Sequence, residues 1–311
     1  MTGTTSNTIR RFARSSTDGS ATELPSSVRT VVDESLSPPD RSLPAALCTV
    51  AGECSDDAAD HRVNPDIDRL ERVLEPVGDA VRYLEGYVRL RLAMGSVGGN
   101  AGVTAEPATD WLAEPSVDRD AAILASDSLH ATAYATIAET PLPDDRLLEL
   151  YRLLTQGSTA LAHRSFPQFD TETPVNARVS VEATLAGVAG ALGVTAVGGS
   201  TETRRCLRRY SHAIMIALAS QSTVGTDDTR PRATAIAVLS GQRTPRIVEP
   251  RARVKHCSST VTNALERART ALEPLDSDAI SREVDRVSAE TLPPLVRLER
   301  ATRLPFQDGR T

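Results

Sequence analysis

The sequence predicts an all-α protein, and three observations carry that expectation. Aromatic residues make up only 3% of the 311-residue chain, with a single tryptophan (Trp111). The 40% hydrophobic content is therefore mostly Leu, Val, Ile and Ala, which suits helix-on-helix packing better than stacked sheets. The apolar residues recur at helical spacing in long blocks, and no alternating pattern is long enough to support a sheet.

Residues 1–23 are rich in Thr, Ser and Arg without an apolar period, so they are expected to be a disordered lead. One ordered unit is expected over 24–300, followed by a tail at 301–311. Its amphipathic blocks fall at 24–36, 43–54, 66–93, 118–139, 143–164, 174–197, 201–221, 229–240, 249–273 and 277–300. Gly198-Gly199 supplies a left-handed helix end, after which Ser200 or Thr201 caps the next block. Asp276 or Ser277 is expected to cap the last block, and Asp144-Asp145 and Asp227-Asp228 to cap theirs. Pro76 and Pro293-Pro294 are expected to break or kink the blocks that hold them. Glycines and prolines mark 95–117 as a long loop.

The stretch Ala183–Gly199 is uncharged and approaches membrane-span length. Its small residues, with Gly187, Gly190 and Gly193 open to close helix contact, fit a buried bundle helix instead of a membrane span. An integral membrane protein is not expected.

The formal net charge of −6 leaves no broad basic surface for a phosphate backbone, which argues against a nucleic-acid partner. Arg204-Arg205 and Arg208-Arg209 read as solvated helix faces. Cys48, Cys54, Cys206 and Cys257 form no C-x-x-C pair and no dense framework, as expected of reduced thiols in a cytoplasmic protein. Arg10-Arg11 opens like a twin-arginine signal, but the polar run Ser15–Ser20 follows where an apolar segment is required.

Several segments, in order, resemble the trans-isoprenyl diphosphate synthase family. Ala121-Ala122-Ile123-Leu124-Ala125-Ser126-Asp127-Ser128-Leu129 is similar to its A-I-L-A-G-D-x-L helix, with Ser126 for glycine. Leu43–Leu47 resembles the helix after the family's G-K-x-x-R-P motif. Val81–Tyr87 resembles the helix that delivers its first aspartate motif, and Ala183–Gly193 the helix after its K-T pair. Leu207–Ala213 resembles the helix leading to its second aspartate motif, and Ala268–Thr291 its closing helices. The resemblance implies a single large helical bundle of the isoprenoid synthase type around a central cavity, usually dimeric. It also implies two D-D-x-x-D motifs that hold magnesium against the allylic diphosphate, because ionisation places charge on the leaving group.

The chain departs from that pattern where the chemistry sits. Val88–Met94 stands at the first aspartate motif and Leu218–Val224 at the second. Asp40 and Leu43 replace the lysine and arginine of G-K-x-x-R-P, and Val181 or Glu182 the lysine of K-T. No catalytic or cofactor-binding residue is therefore expected, and no cofactor; magnesium enters only if the chain is a divergent prenyltransferase or terpenoid-type enzyme. Asp56-Asp57-Ala58-Ala59-Asp60 is a literal D-D-x-x-D and makes Asp56, Asp57 and Asp60 weak metal candidates. Its place ahead of the 66–93 block, about seventy residues before Asp127 instead of the family's thirty, favours a solvated loop. Cys48 with Cys54, and Cys206 with His212, match no zinc spacing. His130 and His163 fit core or surface roles.

The function expected from these readings is a non-catalytic synthase-like protein in isoprenoid metabolism. It would act either as the regulatory subunit of a prenyltransferase or as a binder of an isoprenoid chain. Its expected partners are a second copy of itself or an active prenyltransferase.

Overall fold

The computed structural model describes residues 24–55, 67–96, 118–165, 174–222, 230–241, 258–275 and 292–306. Their order is α1 (Ser26–Ser35), a 3-10 turn (Pro39–Arg41), α2 (Leu43–Glu53), α3 (Ile67–Ser96), α4 (Arg119–Glu139) and α5 (Asp144–Ser165). There follow α6 (Pro174–Val197), α7 (Thr201–Ser222), α8 (Arg230–Leu239), α9 (Ser259–Leu272) and α10 (Pro294–Ala301), with 3-10 turns at Glu273–Leu275 and Leu304–Phe306. No strand occurs among the described residues.

Local chemistry sets the boundaries. Ser42 caps α2 by accepting the Ala45 N–H at 3.2 Å, and Ser258 caps α9 through Val261 N–H at 3.3 Å. Gly198, at φ +84°, ends α6, and Ser200 then accepts the Thr203 N–H at 3.0 Å to start α7. Asp144 and Asp145 lie within the first turn of α5 instead of capping it; Pro143 supplies the carbonyl bonded by Leu147 N–H. Carboxylates there still favour the positive end of the helix dipole.

Pro76 departs from expectation, because α3 runs through it without a break. Proline removes one helical hydrogen bond. Val73, Leu74, Val77 and Ala80 are buried around it, and their packing holds the helix on both sides. Pro294 opens α10 at the first helical position, where a missing N–H costs nothing, and the part of the last block ahead of residue 292 lies outside the described residues. Asp227-Asp228, Asp276, Ser277 and the loop beyond Ser96 lie outside the described residues.

Helix α6 organises the bundle, packing against α2, α3, α5 and α7. One of its faces (Val181, Leu185, Val188, Leu192) joins a core with α1, α3, α4 and α5. The other (Ala183, Ala186, Val194) joins a second core with α2, α7, α8, α9 and α10. Its apolar residues therefore go all the way round, and 83% of its span-like window is buried by protein. The α2–α6 crossing depends on two glycines: a Cβ at Gly193 would lie 2.0 Å from Cys48 O, and one at Gly52 3.1 Å from Gly193 O. Packing continues past residue 300, where Ala301 and Phe306 are both buried.

Candidate functional site

The most connected polar group in the core is Glu85, halfway along α3 and only 3% exposed. It lies among the buried residues Val81, Leu84 and Val88, on a stripe that elsewhere is apolar. A carboxylate taken out of water is costly unless charge and hydrogen bonds compensate it. Three donors do so here. Ser42 Oγ, at the start of α2, donates to Oε2 at 2.6 Å. Arg89, one turn along α3, donates through Nη2 to Oε1 at 3.0 Å, and Arg232 of α8 donates to the same oxygen at 3.2 Å.

The charges extend outward from this carboxylate. Arg232 Nη1 lies 3.9 Å from Glu182 Oε2 on α6, and Arg178 Nε donates to Glu182 Oε1 at 3.2 Å. Arg89 Nη1 reaches the Ser35 carbonyl at the end of α1 at 3.5 Å. Beside them Arg82 pairs with Asp79 at 2.7 Å and donates to Ser37 O at 2.9 Å. Two carboxylates and three guanidiniums thus alternate across α3, α8 and α6.

This arrangement draws together segments singled out separately in the sequence. Ser42 comes from the stretch at the G-K-x-x-R-P position, Glu85 and Arg89 from the helix of the first aspartate motif, and Glu182 from the K-T position. In the second-motif stretch Leu218 is buried in the second core, and Gln221 has its Oε1 buried without a hydrogen-bond partner. Arg232 carried no signal of its own among so many arginines. The signal that could have found it is Glu85, an acid on a core stripe, which requires a partner from elsewhere.

The donor set does not suit magnesium, which takes oxygen ligands. Two guanidiniums already bond Glu85 Oε1 and the Ser42 hydroxyl bonds Oε2, and among the described residues no three His, Cys, Asp or Glu side chains gather as a metal-binding group. Asp56, Asp57 and Asp60 lie outside the described residues.

Other candidates fall elsewhere. Asp127 of α4 is exposed and pairs with Arg91 at 2.8 Å, and Arg91 covers the Tyr87 ring at 5.5 Å. His130 sits in an aromatic stack, 4.9 Å from Tyr87 and 5.1 Å from Tyr134, and its Nε2 is 3.0 Å from Ser158 Oγ. Burial lowers its pKa; the Asp127 charge opposes that shift and Arg91 adds to it. His163 is exposed. Burial pushes the Cys48 thiol up to about 12 and raises Cys54 further, so neither is a ready thiolate ligand.

A shallow depression between α5, α6 and α7, lined by Leu153, Gln156, Gly157, Val188, Ala191 and Arg208, has about 10 Å³ of room. That holds about one water molecule.

No family model matches the chain, and no curated protein matches it in sequence. Solved structures do match in shape. A geranyltransferase from Legionella pneumophila superposes with a TM-score of 0.56 at 14% identity, over 96% of this chain and 93% of that one. A geranyl diphosphate synthase small subunit from Antirrhinum majus gives 0.50 at 16% identity, over 89% and 93%. The chain therefore has the all-α isoprenoid synthase fold.

Proposed function

We propose that this chain is a non-catalytic, cytoplasmic protein built on the isoprenoid synthase bundle, acting as a subunit beside a prenyltransferase chain. That chain is either its own copy or an active relative.

The observation that carries this reading is the buried Glu85 held by Ser42, Arg89 and Arg232. Ionising an allylic diphosphate calls for oxygen ligands that hold magnesium against the leaving group. Around Glu85 the chain presents guanidinium groups on its own carboxylates. A divalent cation brought there meets Arg89 and Arg232 instead of free oxygens. Removing a single stabilising donor costs about a hundred- to a thousandfold in rate, and this arrangement replaces a whole donor set.

Two observations favour a subunit over a carrier of isoprenoid chains. On α4 the exposed Leu124, Ala131 and Ala135, and on α5 the exposed Leu148, Thr155 and Thr159, form stripes of uncharged side chains interrupted by Asp127 and Arg152. Among the described residues, Leu124 at 53% and Leu148 at 45% exposure are two of the few large apolar side chains in water. Such stripes suit contact with protein. The Antirrhinum structure shows the same bundle serving as a small subunit of a synthase.

Sedimentation velocity tests the association. The chain, alone or mixed with a prenyltransferase from its own cells, should sediment as a dimer or heteromer, and Leu124→Arg should weaken that species. A monomer that captures no synthase would contradict the reading.

A further inference from the structure

A second buried guanidinium lies at the other end of α8 from Arg232. Arg297 of α10 is 6% exposed. Its Nη1 donates to the carbonyl of Leu239, the last residue of α8, at 2.7 Å, and its Nη2 donates to Glu53, the last residue of α2. A cation is thus buried beside the C-terminal residues of two helices, and the dipoles there help offset the cost of taking it out of water. Two further bonds fix the same segment. The fully buried Tyr210 of α7 donates its hydroxyl to Leu298 O at 2.7 Å, and Arg269 of α9 donates to Thr302 O at 3.1 Å.

Helix α8 packs on α10 and the Leu304–Phe306 turn together more broadly than on α2, α7 and the Pro39–Arg41 turn. Its Ala235, Ile236, Val238 and Leu239 share the second core with Leu298, Ala301 and Phe306. Toward α3 and α6 it extends Arg232 from its first turn, which bonds Glu85 and lies 3.9 Å from Glu182.

We propose that Pro294–Phe306 is a clasp that seats α8 and is locked by Arg297, and that clasp and helix open as one unit, withdrawing Arg232 from Glu85 and Glu182. Arg297 is a positioning residue: it bonds neither carboxylate of the cluster and acts through α8, holding its last residue about 10 Å along the axis from Arg232. Opening leaves Glu85 with Ser42 and Arg89, and Glu182 with Arg178. Both carboxylates therefore stay partnered while α8 departs, and the opening costs less than global unfolding. The C-terminal segment thereby controls whether Glu85 is fully shielded. This regulation rests on the reading of the Glu85 cluster given above and needs no partner chain.

Hydrogen exchange of the full chain, followed peptide by peptide in a mass spectrometer, tests whether the two segments move together. Peptides from 230–239 and from 294–306 should share one opening constant, at least about tenfold larger than that of α6. Arg297→Gln should raise both by at least about tenfold and leave α6 unmoved, since that is the scale of a charge-assisted bond left unmade. A second readout is the double-mutant cycle of Glu85→Gln and Arg232→Ala, whose coupling should fall by about half or more in the Arg297→Gln background. Exchange of α8 in step with α6, or independent of 294–306, would overturn the clasp, and the unsubstituted chain alone can show this. A coupling undiminished by Arg297→Gln would overturn it as well. A cycle without coupling in the otherwise unsubstituted chain would remove the Glu85 cluster itself, and the proposal with it.

Discussion

Arg232 Nη2 stands 3.2 Å from Glu85 Oε1, joining α8 to α3 across 147 residues of sequence. Glu85 is 5% exposed at its side chain and Arg232 28%, so the pair lies where water screens it poorly. Removing one partner of a buried pair leaves the other charge uncompensated, at a cost of about 3 kcal/mol for a fully buried case. Glu85→Gln is expected to lose about 2–3 kcal/mol in urea unfolding, and Arg232→Ala about 1–2, since Arg232 is the more exposed partner. The double variant should lose clearly less than the sum. Additive losses would show that the two groups do not act as a unit.

A second prediction concerns the α2–α6 crossing. A methyl group at Gly193 would sit 2.0 Å from the Cys48 carbonyl oxygen, and backbone cannot swing aside as a side chain can. Gly193→Ala should destabilise the fold by about 2 kcal/mol or more. Gly78 of α3, where an added Cβ meets nothing within 4 Å, is the control; Gly78→Ala should stabilise by about 0.5–1 kcal/mol through helix propensity. Thermal melts of the two variants should move in opposite directions.

The bundle and most helix ends were legible in the sequence because they rest on local chemistry: Ser42 and Ser258 as caps, and Gly198 with Ser200 at the α6–α7 corner. The glycines of α6 were legible as contact positions, and each is packed closely against α2 or α7. Pro76 misled because local propensity yielded to packing by Val73, Leu74 and Val77 on both sides of it. The departures from the aspartate pattern were visible, but not what stood in its place. Arg232 reaches Glu85, and Glu182 joins through Arg232, only by the tertiary arrangement, and no local spacing encodes that meeting.

The histidines give a pH dependence. Burial lowers the pKa of both His130 and His212 below the ordinary 6.5. Below about 6.5 the unfolded chain then takes up protons that the folded chain does not. Their contribution is intact above that pH and falls as acid passes through 6.5 towards the folded values. The melting temperature should drop between about pH 7.5 and pH 5.5, and His212→Gln should flatten that drop. A melting temperature that rose on acidification, with the histidine substitution leaving the profile unaltered, would refute the assignment.

The measurement that bears most directly on the central claim is product formation from labelled isopentenyl diphosphate and a short allylic diphosphate, with magnesium and the purified chain alone. The guanidinium-held Glu85 cluster predicts no elongated product above a protein-free control. Elongated product that disappears on chelation would show that this bundle assembles a working metal site, and would contradict the account.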